Sequence, residues 1–210
     1  MPRPVLIGIG GPVVGALVGQ LGAVPGLAER VALHLAPESP HGRARADPAA
    51  LAAAVVALEE DGAMDAAERA TLPPGCAVIT LPRMEFISLW PEAGIATGSP
   101  ARLDQWHEAS ARALFRREAG CDIRIAAFVL SRFRHERLFH SATRPAGPLL
   151  LHMLAQLLGH PALLALTAQP YDLALRAVAG GLATIFAEAR VPVHPAVAAH
   201  FALNWWSPAE

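Results

Sequence analysis

The sequence predicts an α/β fold in which a small parallel sheet flanked by helices is followed by a helix-rich C-terminal half. Over residues 1–95, short apolar runs alternate with helical patterns in a β-α-β-α-β order, which is typical of parallel sheets with crossover helices. From residue 100 to residue 203 the apolar positions follow continuous helical stripes. The chain has 210 residues, of which 53% are hydrophobic and 17% are charged. A single domain over residues 1–210 can therefore bury a large core.

The first half begins with two strand candidates. Pro4–Ile9 is an apolar run that ends in glycines, and Pro12 suits the first turn of the helix that follows. Arg30–Leu35 is the second candidate, and turn residues from Ala36 to Asp47 close it.

A second helix and a third strand complete this half. Asp47 is a capping residue before Pro48, and the pattern predicts a helix that runs from there through Leu51, Val55 and Leu58. After the break at residues 73–75, the apolar run Cys76–Leu81 predicts the third strand.

The second half is predicted to be nearly all helical. One helix begins after Ser99-Pro100 and is stopped by Gly120, because glycine favours helix ends. Further helices are predicted over residues 125–133, 148–158 and 171–189, with a last short helical turn after Pro192-Val193-His194-Pro195.

Charge and composition exclude several function classes. The formal net charge is -1, which argues against a nucleic-acid-binding surface over the whole domain. All 17 basic residues are arginine, so the sequence excludes both Schiff-base lysine chemistry and a Walker lysine. The two cysteines, Cys76 and Cys121, form no disulfide framework and are expected to be buried small side chains. A reducing cytoplasm is the expected setting.

Two long uncharged stretches raise the question of a membrane. Glycines and prolines interrupt both Pro4–Ala28 and Pro145–Tyr171, which disfavours a spanning helix. No integral membrane span is predicted. The apolar run after Met1-Pro2-Arg3 also resembles a signal peptide, so export is the alternative to the cytoplasm.

The turn that contains Gly8, Gly10 and Gly11 is a candidate anion-binding loop. It follows a strand and precedes a helix, where free backbone N–H groups gather. Val13 stands where a dinucleotide fingerprint has its third glycine, and no Gly-Lys-Ser/Thr follows. A plain structural turn is the alternative.

The segment from Arg132 to Pro145 is rich in cations. It holds Arg134, Arg137 and Arg144 among aromatic residues. Such a patch can bind phosphate groups through bidentate donors. A solvated helix face is the alternative interpretation.

The nine histidines do not predict a metal centre. No two have the i, i+4 spacing of a helical zinc site, and no Cys-His cluster exists. His194 lies between two prolines, a position that suggests a specific role; the alternative is a turn residue that bonds local backbone.

Three parts of the sequence resemble the WcbI family of polysaccharide biosynthesis proteins. The central part carries most of the likeness, and the Leu81–Phe86 segment and the closing segment Pro192–Leu203 add to it. The central motifs are Arg117-Glu118, Cys121-Asp122-Ile123, Phe128, Phe133-Arg134, Arg137-Leu138-Phe139 and Pro145, followed by the helix that contains Leu149.

The resemblance implies coenzyme A binding and O-acetyl transfer from acetyl-coenzyme A to a capsular or surface sugar. The acyl donor and the sugar acceptor are then the expected partners. The predicted cofactor site lies between the turn of Gly8, Gly10 and Gly11 and the arginines Arg134, Arg137 and Arg144. His140 or His194 is the candidate base in such a site.

The sequence departs from the family pattern where reactive side chains are expected. Ile9-Gly10-Gly11 stands in place of Asn-Cys-Gln, Thr143-Arg144-Pro145 in place of Asn-His-Pro, and Trp90 in place of a histidine. Acyl transfer needs a base or a nucleophile. The alternative function is therefore a catalytically degenerate relative that binds a ligand or a protein partner.

Overall fold

A computed structural model describes residues 3–36, 46–167 and 169–208. The turn predicted between Ala36 and Asp47 falls largely on residues 37–45, which lie outside the described residues. The elements of the first half are β1 (Val5–Ile9), α1 (Pro12–Leu21), α2 (Leu27–Arg30), β2 (Ala32–Ala36), α3 (Pro48–Ala52), β3 (Ala54–Glu60), α4 (Ala66–Ala70), β4 (Ala77–Leu81) and α5 (Ala93–Ala96). Those of the second half are α6 (Pro100–Glu118), α7 (Ala126–Arg132), β5 (Phe139–Ser141), β6 (Arg144–Pro145), α8 (Gly147–Gly159), α9 (Pro161–Leu164), α10 (Tyr171–Ala179) and α11 (Pro195–Phe201).

Strands β1 to β4 form one parallel sheet in the order β2-β1-β3-β4. The predicted α/β fold with a parallel sheet and flanking helices is confirmed. Strand β2 lies on one side of β1, and β3 and β4 lie on the other side. The direction in which strands are added to the sheet therefore reverses between β1 and β3. Ligands of open α/β sheets bind beyond the carboxyl ends of the strands at such a switch point.

One of the sheet strands was predicted as a helix. The sequence suggested a helix from Asp47 through Leu58, but α3 ends at Ala52 and the chain continues as β3. Asp47 does cap α3, since its side chain accepts a hydrogen bond from the Ala49 N–H at 3.1 Å. The error has a physical cause: β3 is central in the sheet and apolar on both faces, so its residues show no strand alternation.

The two faces of the sheet contact different cores. Leu6, Leu58 and Ile79 face a large cluster that includes α1 and extends to Leu203. Val5, Ile7, Ile9, Ala54 and Ala57 face a small cluster with Leu51 of α3. The C-terminal helices thus pack on one face of the sheet and share its main core.

The second half agrees with the prediction except in two places. The basic segment, predicted as part of a helical region, leaves α7 at Arg132 and ends in the antiparallel pair β5–β6. The helix predicted over residues 171–189 ends at Ala179. Gly180-Gly181 follows, Gly181 has a φ of 78°, and short 3-10 turns at Leu182–Thr184 and Ala187–Ala189 replace the helix. Glycine in the left-handed region commonly terminates helices.

Within the described ranges, no helix is both long enough and apolar enough to cross a membrane.

Candidate functional site

A cleft of about 380 Å³ opens at the carboxyl ends of β1, β3 and β4. The turn after β1, the end of β3 and the segment after β4 form three of its walls, and the β5–β6 hairpin forms the fourth. It therefore lies at the switch point of the sheet, where a ligand site is expected. The lining residues are Gly10, Gly11, Pro12, Val13, Glu60, Ala63, Arg83, Met84, Glu85, Thr143 and Arg144.

A carboxylate occupies one end of this cleft. Glu60 is the last residue of β3, and its Oε2 accepts a hydrogen bond from the Gly11 N–H at 2.8 Å. Gly11 is the N-cap of α1, so the carboxylate sits at the positive end of that helix. The sequence predicted that this helix start would hold an anionic ligand. A side chain of the protein already takes that place, and its charge repels phosphate from this end.

The position of the Glu60 side chain requires glycine at position 10. Gly10 has a φ of 152°, which side-chain-bearing residues rarely adopt. A Cβ at this position would lie 2.7 Å from the Glu60 Cβ and 2.8 Å from Val14 Cγ2. The turn after β1 therefore has space for the Glu60 side chain only because residue 10 has none.

The opposite end of the cleft is cationic. The Arg144 guanidinium lies 5.5 Å from the centre of the Phe186 ring, and it forms no ion pair with any carboxylate of the described residues. Glu85 pairs with Arg117, and Arg83 Nε lies 3.9 Å from Glu60 Oε1. The charge of the Arg144 guanidinium is thus available to a ligand in the cleft.

The other predicted cofactor-binding residues lie outside the cleft lining. Gly8 is within β1, and a Cβ there would meet Val18 Cγ2 at 2.7 Å. Arg134 is exposed, with its guanidinium 5.6 Å from the Phe133 ring centre. Arg137 stacks on Trp205 at 4.5 Å and lines a different cavity. Of the three predicted arginines, the structure brings Arg144 to the glycine turn.

Neither histidine predicted as the base lines the cleft. His140 is buried in β5, and it lines the second cavity with Arg137. His194 is exposed, and its Nδ1 accepts a hydrogen bond from the Ala196 N–H at 3.2 Å. It is the N-cap of α11, which agrees with the alternative of a turn residue that bonds local backbone.

Neither cysteine lines the cleft. Cys121 is 3% exposed, and burial, aided by the nearby Asp61 carboxylate, raises the pKa of its thiol to about 11. Cys76, which was also expected to be buried, is only half-buried, and this partial burial raises the pKa of its thiol. A thiol with a raised pKa is a poor nucleophile near neutral pH.

The sequence interpretation missed Glu60 as a site residue because it placed residues 54–58 in a helix. The signal was present: an apolar run followed by Glu59-Glu60-Asp61-Gly62 is typical of a strand that ends in a turn. Arg83 and Glu85 belong to the Leu81–Phe86 segment, which resembles the WcbI family and carries no local signal of a binding site. Their place in the cleft follows from the pairing of β4 with β3.

No three metal-ligating side chains (His, Cys, Asp or Glu) are grouped closely enough to hold a metal ion in the parts of the chain that the structure covers.

Comparison with known proteins supports the resemblance. Residues 96–163 match the family model described as the polysaccharide biosynthesis enzyme WcbI. The resemblance to the WcbI family is confirmed. The match spans α6 to α8 with the β5–β6 hairpin, so the WcbI-like segment contributes Thr143 and Arg144 to the cleft. Glu60 and the glycine turn lie outside it.

A solved structure of WcbI has the same fold. It superposes with a TM-score of 0.64 at 17% sequence identity, and the alignment covers 82% of this chain and 72% of WcbI. That structure is described as a novel polysaccharide biosynthesis enzyme, in its native form without a disulfide bond between coenzyme A and a cysteine. No curated protein matches the chain.

Proposed function

We propose that this WcbI-like protein binds acetyl-coenzyme A in the cleft and transfers the acetyl group to a hydroxyl of a capsular or surface sugar. The observation that carries the proposal is the cleft itself, which joins the glycine turn at the switch point of the sheet to Arg144, a guanidinium with no ion pair among the described residues. The structural likeness to WcbI, whose description names coenzyme A, supports the choice of ligand.

The charges of the cleft favour one orientation of the ligand. Arg144 suits the phosphates of coenzyme A because a guanidinium group binds phosphate through paired donors. Glu60 repels phosphate, so the uncharged thioester end belongs beside Glu60 and Gly11. The β5–β6 hairpin then holds the nucleotide end and the sheet holds the reacting end.

Glu60 is the proposed general base. Among the described residues, the lining contains no histidine and no cysteine, so we propose direct transfer rather than an acyl-enzyme. The Glu60 carboxylate accepts the proton of the sugar hydroxyl while the oxygen attacks the thioester carbonyl. The new C–O bond forms, the tetrahedral intermediate collapses, the C–S bond breaks, and the leaving thiolate takes up the proton. The Gly11 N–H orients the carboxylate for this step.

A second candidate function is supported by the same lining. The described lining residues include no histidine and no cysteine, as is expected of a catalytically degenerate relative that holds coenzyme A or a partner without turnover. In that case Glu60 only caps α1.

Three variants separate these functions. Calorimetry with coenzyme A and an acetyl-coenzyme A consumption assay over a panel of sugars are run on the full chain. Arg144→Gln should weaken coenzyme A binding by about tenfold, as expected for a lost charged hydrogen-bond partner. Arg134→Gln, an exposed arginine outside the cleft, is the matched control. Glu60→Gln keeps an acceptor for the Gly11 N–H, so it should retain or strengthen coenzyme A binding and lower turnover by about 10²–10⁴-fold.

The outcomes are distinct. Binding without turnover in the unaltered protein selects the degenerate relative. Turnover that survives Glu60→Gln removes Glu60 as the base. Failure of coenzyme A to bind, or binding that Arg144→Gln leaves unchanged, overturns the proposed cleft.

A further inference from the structure

A second cavity, of about 420 Å³, lies between the start of α8 and the end of α10. Of the residues that the structure describes, none lines both this cavity and the first cleft. Most of its wall is alkyl, from Pro148 and Leu151 of α8, Ala179 of α10 and Leu182 of the following turn. This cavity is suited to an apolar group of moderate size.

Polar groups gather at one end of the cavity. The Gly147 N–H, at the start of the 13-residue helix α8, has no acceptor among the described residues, and the N-cap Ala146 offers no capping side chain. His140 lies in the same wall and is 7% exposed. Neither of its ring nitrogens has a hydrogen-bond partner in the described part of the chain. Buried polar groups are almost always paired in native proteins, so an unpaired imidazole beside a free helix start points to a ligand.

The surroundings of this end are positive. Burial, together with the charges of Arg190 and Arg137, lowers the pKa of His140, and Glu188 opposes this shift. Glu136 also lines the cavity, but its carboxylate lies 3.5 Å from the Arg132 guanidinium in an i, i+4 pair. The positive end of α8 adds to the same field. Such an environment favours an anion.

We propose that this cavity binds a small carboxylate that carries an apolar chain, with the carboxylate at the His140–Arg137–Gly147 end and the chain along Leu151 and Leu182. A carboxylate fits better than a free phosphate because most of the lining is alkyl and would leave phosphate oxygens unpaired. This site is separate from the proposed acetyl-coenzyme A cleft, and it does not depend on the function of that cleft.

The test uses three probes on the full chain. Hexanoate has both the carboxylate and the chain, hexanol has the chain alone, and inorganic phosphate has the charge alone. Binding is followed by calorimetry and by NMR titration of the His140 imidazole. We expect saturable binding of hexanoate, binding at least about tenfold weaker for each of the other two probes, and a rise in the pKa of His140 with hexanoate bound.

Variants locate the site. Arg137→Gln should weaken hexanoate binding by about tenfold, whereas Arg134→Gln, the neighbouring exposed arginine, and Arg144→Gln, in the first cleft, should leave it unchanged. His140→Phe keeps the ring shape in the core and should also weaken binding; its thermal unfolding is compared with that of the unaltered protein. Absence of hexanoate binding, equal binding of hexanol or phosphate, or binding that is indifferent to Arg137→Gln would each overturn the proposal.

Discussion

The backbone of Gly10 and the side chain of Glu60 are mutually dependent. A Cβ on residue 10 would lie 2.7 Å from the Glu60 Cβ, and the next N–H along the chain, that of Gly11, donates to Glu60 Oε2 at 2.8 Å. The carboxylate therefore stands beside residue 10, the position at which the resemblance to the WcbI family implies a cysteine. A side chain at residue 10 and Glu60 in its present place exclude each other, which is why the chemistry that we propose for the cleft uses a carboxylate.

Substitution of Gly10 should destabilise the protein. Gly10→Ala combines the φ of 152° with the contacts to Glu60 and Val14, and we expect a loss of about 1–3 kcal/mol in the free energy of unfolding. Gly19→Ala is the control, because Gly19 is an exposed residue of α1 with nothing within 4 Å of an added Cβ. Gly19→Ala should raise the free energy of unfolding by about 0.5–1 kcal/mol. Urea denaturation measures the free energy of unfolding of both variants. A Gly10→Ala protein as stable as the unaltered one would contradict the close approach.

Of the two glutamates of α6, Glu118 should contribute more to the free energy of unfolding. It is 6% exposed, and its Oε2 accepts hydrogen bonds from the Ile125 N–H at 2.6 Å and the Ala126 N–H at 2.8 Å at the start of α7. Glu118→Ala leaves both donors unpaired and should lower the free energy of unfolding by about 2–3 kcal/mol.

The matched control for Glu118 lies on the same helix. Glu108 forms an exposed i, i+4 pair with Arg112 at 3.4 Å, and Glu108→Ala should change stability by less than about 0.5 kcal/mol. Equal effects of the two substitutions would show that Glu118 does not hold the start of α7.

Stability should fall as the pH is lowered below about 6.5. Burial lowers the pKa of His107, His140 and His152 from the ordinary value of 6.5. Between the lowered folded pKa values and 6.5, the unfolded chain binds more protons than the folded chain, so acid favours unfolding. The stabilisation by these three neutral histidines is fully present above pH 6.5. It is lost as the pH falls from 6.5 towards their lowered pKa values in the folded protein.

Urea denaturation at about pH 8 and about pH 5 measures this dependence. His140→Phe removes one of the three groups, and the imidazole has no hydrogen bond to the described residues that the change would break, so the stability of this variant should depend less steeply on pH. His194→Asn, which keeps a capping side chain outside the core, is the control. If the free energy of unfolding of His140→Phe depended on pH as steeply as that of the unaltered protein, His140 would not contribute to the pH dependence.

Cys121 should resist alkylation in the folded protein. Its thiol pKa of about 11 and its burial leave almost no accessible thiolate. Iodoacetamide at about pH 8 should modify Cys121 only after unfolding, as read by mass spectrometry of peptides. Rapid modification of the folded protein would reopen a nucleophilic role for this residue.

Composition and local pattern alone predicted much of the fold. The apolar runs at Pro4–Ile9 and Cys76–Leu81 correspond to β1 and β4, and Pro100 begins α6 as expected. These elements carry their signals locally, in a cap, a proline at the first turn or a glycine at the end. The likeness to WcbI was also readable in the sequence, because its motifs are short and contiguous.

Only the tertiary structure decided the composition of the site. Strand β3 has no local alternation because it is buried on both faces, and without β3 the sequence could not bring Glu60 to the turn of Gly10 and Gly11. Arg144 and Arg137 lie seven residues apart in one basic segment, yet they line different cavities. Side chains from separate elements meet through strand pairing and packing, and those long-range contacts leave no periodic mark in the sequence.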